Sequence, residues 1–404
     1  MTTEFEISKI DKAALELTLQ NGCEPAVSPL EGDILDIKLD YIKPVFPIDE
    51  DKLANKLRTA FRKNMEQHEG KKIGVQLSGG NDSSLCLYLL TKLFPDMDIT
   101  AYHAYFGDPT RDERKYANIA AKAFHTDLKV VDLDVHRQIE LIPECTEHCN
   151  VVMSALVYSY GLIKKMAEDG MDVVVYSIGP DEYFGAYAFD KRYYERKPFF
   201  GMVPTHNKYF RELSKRYGTD KAFFVNNFAI ASGEKHVKNN KYSVDNWYDD
   251  FFVENLWITL KRWMWERDLG GQYRIVQQPA KHFGMESAFP YLEKDLAEYC
   301  FGCTPISVYN KAPMRSLMRY WGVPEENTRR GENWNIGSDD KVGYQPSNNF
   351  YTSFTRKFFP KIGGDKLVDE YFTPYVKKNL LKWMTLGDRR AQQIGLLLRM
   401  LERM

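Results

Sequence analysis

Ser78-Gly79-Gly80-Asn81-Asp82-Ser83-Ser84 separates two apolar runs of different period. Before it, Ile73, Val75 and Leu77 alternate as in a strand. After it, Leu85, Cys86, Leu87, Tyr88, Leu89, Leu90, Leu93 and Phe94 are apolar almost all round, as in a buried helix. The stretch therefore reads as strand, tight glycine turn, helix. Two residues without Cβ let backbone N–H groups close around an anion. A helix opening near Asp82 adds unpaired N–H groups and the positive end of its dipole. Ser78, Ser83 and Ser84 add hydroxyl donors. The turn is suited to phosphate, and it is not a Walker A loop, because no Gly-Lys-Ser/Thr follows.

Working outward, Asp49 can cap a helix that carries Leu53, Leu57, Phe61 and Met65 on one face; Gly70 ends it, and a strand at 72–77 leads into the turn. Beyond the turn the pattern alternates. A strand at 99–106 precedes a helix at 112–125 with Tyr116, Ile119, Ala120 and Ala123 inward. A strand at 128–133 precedes a helix at about 153–168, and Val173-Val174-Val175-Tyr176 makes a fourth strand. Alternation with near-continuous apolar strands predicts an α/β fold, a parallel sheet with helices on both faces, and ligands beyond the carboxyl ends of its strands. Residues 1–46 read as an arm or small β appendage. Residues 47–404 read as the main domain, with 190–404 mostly helical, in segments at 207–216, 249–267, 293–301, 311–321, 364–371, 375–384 and 388–403.

Composition narrows the function classes. A formal net charge of -1 gives no global field for nucleic acid or anionic lipid. No apolar run approaches the roughly 20 residues that span a bilayer. The start, Met1-Thr2-Thr3-Glu4-Phe5-Glu6, lacks the basic and apolar regions of a signal peptide, and six cysteines without a signal predict reduced thiols and a cytoplasmic setting. Cys145, His148 and Cys149 with Cys300 and Cys303 could compose a zinc site, against the plainer reading of buried free thiols.

The second informative stretch is Ser177-Ile178-Gly179-Pro180-Asp181-Glu182-Tyr183-Phe184-Gly185-Ala186-Tyr187. It places two carboxylates just past a strand end. Asp181, with Asp82 across the crevice, offers the hard oxygen ligands that Mg²⁺ takes alongside phosphate oxygens and waters. With these residues quoted, a resemblance emerges. Ser-Gly-Gly-Asn-Asp-Ser is similar to the Ser-Gly-Gly-x-Asp-Ser loop of the N-type ATP pyrophosphatases, with an adenine nucleotide α-hydrolase-like fold. Asp181-Glu182-Tyr183-Phe184-Gly185-Ala186-Tyr187 narrows this to the synthetase domain of asparagine synthetase and β-lactam synthetase. Gly284-Met285-Glu286-Ser287-Ala288-Phe289-Pro290-Tyr291-Leu292-Glu293 resembles the family's Gly-x-Glu-x-x-x-Pro-Phe-Leu-Asp segment. Lys311 with Arg315 resembles a Lys before Leu-Arg in the helix that follows. The resemblance covers roughly residues 49–340.

The resemblance implies an ATP- and Mg²⁺-dependent ligase that adenylates a carboxylate or amide-type oxygen, passes it to nitrogen, and releases AMP and pyrophosphate. By position it implies that Ser78, Gly79, Gly80, Asp82 and Ser83 surround the pyrophosphate portion of ATP. Asp82 and Asp181 would ligate Mg²⁺, and Leu77, Ala104 and Gly179 would face the nucleoside through backbone atoms. Lys311 would touch the phosphates and offset charge as pyrophosphate leaves. Lys311 competes with the plain alternative of a surface lysine, and Glu286 with that of a structural ion pair.

The chain also departs from the pattern. Ile178 stands where the family has Glu or Tyr, and Gly331 where it has a catalytic Lys; Arg330 beside it, or Lys341 beyond, supplies charge but Arg cannot act as a base. Residue 2 is Thr rather than a nucleophilic Cys, and fewer than about 50 residues precede the synthetase segment, which is short for a domain. Without a glutaminase domain, nitrogen is expected from free ammonia, a substrate amine or a partner. Two alternatives stay open at this point. One is a base-modifying enzyme acting on nucleic acid, motivated by the basic-aromatic stretches Lys191–Phe200 and Arg356–Lys361 and opposed by the net charge. The other is a degenerate nucleotide-binding subunit. Acid, amine, pathway and oligomeric state are not named by the sequence.

Overall fold

The computed structural model of the chain describes residues 46–107, 112–149, 151, 155–184, 265 and 269–328, with 369, 374, 377–378 and 396 as isolated positions. Of the arm expected at 1–46 only Phe46 is described, and the basic-aromatic stretches and nearly all of the helical segments expected at 207–216, 249–267, 364–371, 375–384 and 388–403 lie outside the described residues.

The first helix, α1 (Glu50–Met65), forms where its local signals agree. Asp49 accepts a hydrogen bond from the Lys52 amide at 2.9 Å, Glu50 and Asp51 fill the first turn, and Arg62 and Lys63 fill the last. Its inner face buries Leu53, Ala54, Leu57, Ala60, Phe61 and Met65. Gly70, at φ 77°, then turns the chain into β1 (Lys72–Gln76).

Four further strands complete one sheet: β2 (Asp98–Tyr105), β3 (Asp127–Asp132), β4 (Val173–Val175) and β5 (Glu286–Ala288), in the order β3-β2-β1-β4-β5. All four pairings are parallel, with Val75 opposite Ala101 on one side and Val175 on the other. The connections are helical. β1 runs to β2 through α2 (Asn81–Leu93), and β2 to β3 through α3 (Arg114–Ala123). β3 returns to β4 through α4 (Val135–His148) and α5 (Leu156–Glu168). The short α6 (Pro180–Tyr183) follows β4, and α7 (Leu269–His282) leads into β5. Strand order runs one way from β1 to β3 and the other way from β4 to β5. Right-handed crossovers then put α2 and α3 on one face and α4, α5 and α7 on the other. Consistent with this, a Cβ added at Gly74 would meet the Met166 sulfur of α5 at 3.0 Å.

The order reverses between β1 and β4, so their carboxyl ends open a crevice at the point where open α/β sheets bind ligands. Beyond β5 come a 3₁₀ turn at Pro290–Leu292, α8 (Lys294–Gly302), α9 (Pro305–Val308), a 3₁₀ turn at Tyr309–Lys311, α10 (Ala312–Tyr320) and α11 (Glu325–Thr328).

Three sequence expectations need correction. In α3, Tyr116 and Ala123 are exposed, and Ala117, Ala120 and Ala121 form the buried face. At Tyr116 and Ala117 the helix backbone lies against the glycine turn. α4 and α7 form where the sequence pattern predicts no helix; each carries an internal proline, Pro143 and Pro279, which breaks the helical pattern, while their amphipathic faces still find a core. β5 is the third: Glu286-Ser287-Ala288 has no strand composition, and it becomes one by pairing with Val173–Val175.

Candidate active site

β1 delivers the glycine turn to the crevice, and α2 begins within it. Gly79 adopts φ 86°, and a Cβ there would lie 2.5 Å from the Ala117 amide nitrogen. Its lack of a side chain serves backbone conformation and close packing on α3. Gly80, at φ -77°, has only the Ser78 hydroxyl near its missing Cβ, at 3.4 Å, so this is the glycine that leaves room for an anion. The loop is tied together by its own hydroxyls. Ser83 Oγ accepts from the Ser78 and Gly79 amides at 3.1 and 3.2 Å, Ser78 Oγ accepts from the Gly80 amide at 3.2 Å, and the two hydroxyls are 2.9 Å apart. An anion seated here takes over donors that are already aimed at one oxygen.

Asp82, in the first turn of α2, and Asp181, in α6 beyond β4, meet at Lys311. The Lys311 ammonium donates to Asp82 Oδ1 and Oδ2 at 2.7 and 2.6 Å and lies 2.5 Å from Asp181 Oδ1. Lys311 is 9% exposed, so the surface-lysine alternative is excluded. Burial opposes its charge, yet the Asp181 and Asp82 carboxylates hold its pKa well above the ordinary lysine range. Burial pushes the Asp82 carboxyl up to about 6; Asp181 adds to that rise, and Lys311 works against it. Lys311 and the preceding Asn310 both have φ 55°, a left-handed conformation that asparagine adopts readily but that is costly for lysine. The Lys311 amide is anchored at 3.0 Å on the Phe184 carbonyl, at the end of α6. The backbone is thus bent to hold one ammonium between two carboxylates.

These two carboxylates fit a hard divalent cation. Their oxygens converge on a single positive charge, and a Mg²⁺ site commonly uses one or two carboxylates with phosphate oxygens and water. Among the described residues, no group of three or more His, Cys, Asp or Glu side chains is arranged to hold a metal. Cys86, Cys145, Cys149, Cys300 and Cys303 are buried free thiols, so the zinc expectation has no geometric support.

The expected nucleoside contacts differ among themselves. Leu77 is buried with both backbone groups bonded. Its amide donates to the Tyr102 carbonyl at 2.8 Å, and its carbonyl accepts from His103 Nδ1 at 2.8 Å. A carbonyl only accepts, so Nδ1 carries the hydrogen, and burial lowers the imidazole pKa. Ala104 lies near the end of β2, beyond the last residue paired with β1. Gly179, at φ 119°, is packed with its missing Cβ 3.2 Å from the Tyr183 hydroxyl and Tyr291 Cβ. Glu286 is at the opposite end of the sheet, where its carboxylate forms a structural ion pair with Lys71 at 2.6 Å. Ile178 is buried, and Arg330, Gly331 and Lys341 lie outside the described residues.

The structure adds residues that the sequence did not single out. Tyr291 donates to the Asp82 carbonyl at 3.1 Å, and the Tyr183 hydroxyl donates to the Tyr291 carbonyl, linking α6 to the start of α2. Asn327, fully buried in α11, donates to the Gly79 and Tyr116 carbonyls at 2.8 and 3.0 Å and clamps the turn to α3. Tyr291 lies inside a quoted motif, whereas Glu325-Glu326-Asn327-Thr328 carries no local signal.

The family model for asparagine synthase matches residues 52–332. Among curated proteins, none matches the chain. Among solved structures, the chain is similar to an NH3-dependent NAD synthetase from Campylobacter jejuni at 13% identity and a TM-score of 0.26, covering 35% of this chain and 61% of that one. It is similar to the U34-tRNA thiolase NcsA from Methanococcus maripaludis, which carries a [4Fe-4S] cluster, at 14% identity and a TM-score of 0.28, covering 62% and 89%. An NAD+ synthetase from Burkholderia pseudomallei shares 14% identity with a TM-score of 0.24, covering 44% and 65%. The chain thus spans less than two thirds of either NAD synthetase. At this similarity the three structures carry no functional argument. No helix of the described residues is long and apolar enough to cross a membrane.

Proposed function

We propose that this chain, which belongs to the asparagine synthase family and so to the ATP-using synthetases, is an AMP-forming ligase that joins a carboxylate or amide-type carbon to nitrogen. The observation that carries the reading is the meeting of Lys311 with Asp82 and Asp181 at the β1/β4 crevice, beside the Ser78–Ser84 turn. Each comes from a different part of the chain, and together they make a polar, charge-bearing centre next to an anion-binding turn.

In the proposed first step, a substrate oxygen attacks the α-phosphorus of ATP. The bond from that phosphorus to the bridging oxygen breaks, and its electron pair leaves with pyrophosphate. Gly80 and the amides gathered on Ser83 Oγ hold the departing β- and γ-phosphates, with the start of α2 behind them. Lys311 supplies a fixed positive charge to the pyrophosphate as its charge grows. Asp82 and Asp181 are the residues that would hold Mg²⁺, which when bound neutralises phosphate charge. In the second step a nitrogen nucleophile attacks the acyl carbon and AMP leaves with the C–O electron pair. Ile178 cannot take the proton that the nitrogen sheds, so free ammonia, a substrate amine or a partner-delivered amine must pass it to water or to another group.

The test is turnover with ATP, Mg²⁺ and a panel of carboxylic acids with ammonia. The expected products are AMP and pyrophosphate in equal amounts, stimulated by one class of acid. Formation of ADP instead, or no stimulation by any acid, overturns the reading.

A further inference from the structure

Lys311 places its ammonium within 2.5–2.7 Å of three carboxylate oxygens, two from Asp82 and one from Asp181. A divalent cation bridging the same two carboxylates would sit roughly 2.0–2.1 Å from its oxygens. A metal on these carboxylates would compete with the ammonium for Asp82 Oδ1, Asp82 Oδ2 and Asp181 Oδ1. The root of Lys311 is fixed, because its amide is bonded to the Phe184 carbonyl and its backbone is left-handed. Only the four-carbon stem can rotate, so the ammonium has two stations: on the carboxylates, or off them and toward a neighbouring anion. The nearest structure built for such an anion is the Ser78–Ser84 turn, whose Asp82 is itself one of the two carboxylates.

We propose that Lys311 is a tethered counter-cation that closes the divalent-metal site of the nucleotide-free protein, so that metal binds together with the nucleotide and not before it. The inference rests on the reading of Asp82 and Asp181 as metal ligands and goes beyond it to the order in which the ligands arrive. With the crevice free of phosphate, the ammonium's partners among the described residues are the two aspartates, and a metal must displace it. Triphosphate offers the ammonium a second anionic partner and brings oxygens that complete the metal's shell. Lys311 then moves to phosphate, and the carboxylates are released to the metal. The same side chain thus prevents like-charge repulsion between the aspartates in one state and screens pyrophosphate in the other.

Mn²⁺ is the probe, followed by electron paramagnetic resonance or calorimetry on the full chain without nucleotide. Lys311→Gln removes the ammonium; Lys311→Gly removes it and also suits the left-handed backbone, which guards against a variant that fails to fold. Both should bind Mn²⁺ more tightly than the parent by about ten-fold or more, as expected when a unit charge a few ångström from the site is removed. Adding Asp82→Asn to either should abolish the gain, and crystals of the single variant should show the anomalous Mn²⁺ peak between Asp82 and Asp181. Parent affinity equal to that of both variants, a gain that survives Asp82→Asn, or a peak elsewhere overturns the proposal. The outcome is independent of the ligase reading: a chain that shows the gain but never releases pyrophosphate loses the reaction and keeps the metal device, and the reverse result does the opposite.

Discussion

The Lys311 ammonium donates to both carboxylate oxygens of Asp82, across 229 positions of sequence. Asp181 completes the pair of acceptors. Removing either carboxylate takes away part of the charge balance on which nucleotide binding and metal binding are proposed to depend. Asp82→Asn and Asp181→Asn should each lower ATP-dependent pyrophosphate release by about a hundred-fold or more. Each should leave the circular dichroism spectrum unchanged, because the amide keeps the shape of the side chain. Full turnover in either variant removes that aspartate from the centre.

The two glycines of the turn should respond differently to the same change. Gly79→Ala forces a left-handed alanine and a contact of 2.5 Å with the Ala117 amide nitrogen, and should destabilise the protein by about 2–4 kcal/mol. Gly80→Ala meets nothing closer than the Ser78 hydroxyl and should leave the melting temperature within a few degrees, while weakening nucleotide binding. Thermal unfolding and nucleotide titration on both variants check the contrast; equal melting temperatures would refute it.

Asn327 touches the site only through the backbone of the turn. Asn327→Ala leaves the Gly79 and Tyr116 carbonyls without its donor in a buried place, at about 1–3 kcal/mol. Because the clamp positions the turn, KM for ATP should rise more than kcat falls. A loss of stability with unchanged KM would show that the clamp serves folding alone.

Asp169 provides the pH test, away from the site. Burial pushes its carboxyl up, but hydrogen bonds from Lys165 at 2.6 Å, Lys129 at 2.9 Å and the Tyr102 hydroxyl at 3.0 Å outweigh that and bring it down to about 2. A carboxyl depressed in the folded state stabilises fully above its unfolded pKa, and that contribution is lost as pH falls from about 4 through the folded value near 2. The contribution is about 1–2 kcal/mol. Asp169→Asn should lose that amount at neutral pH and show a flatter stability profile between about pH 4 and pH 2 by chemical denaturation. A profile parallel to the parent's would show that the three donors leave the carboxyl unshifted.

Much of this protein is legible in its sequence, for a local reason. The strand, glycine turn and buried helix at 72–93, the capped helix from Glu50 and the parallel alternation to Val175 are set by side-chain period, capping and turn chemistry over a few residues. The residue types that make a phosphate turn and a pair of hard carboxylates are visible in the same way. Tertiary structure alone decided the rest. β5 is a strand because β4 offers it a parallel edge, not because Glu286-Ser287-Ala288 asks to be one. α4 and α7 keep their prolines because packing outweighs the broken ladder. Gly79 and Gly80 are adjacent and chemically identical, and only the approach of α3 separates a packing glycine from one that leaves space. The partners of Lys311 lie far from it in sequence, and Asn327 carries no motif. Such contacts depend on which chain ends the sheet order brings together, and no periodicity over a few residues encodes that order.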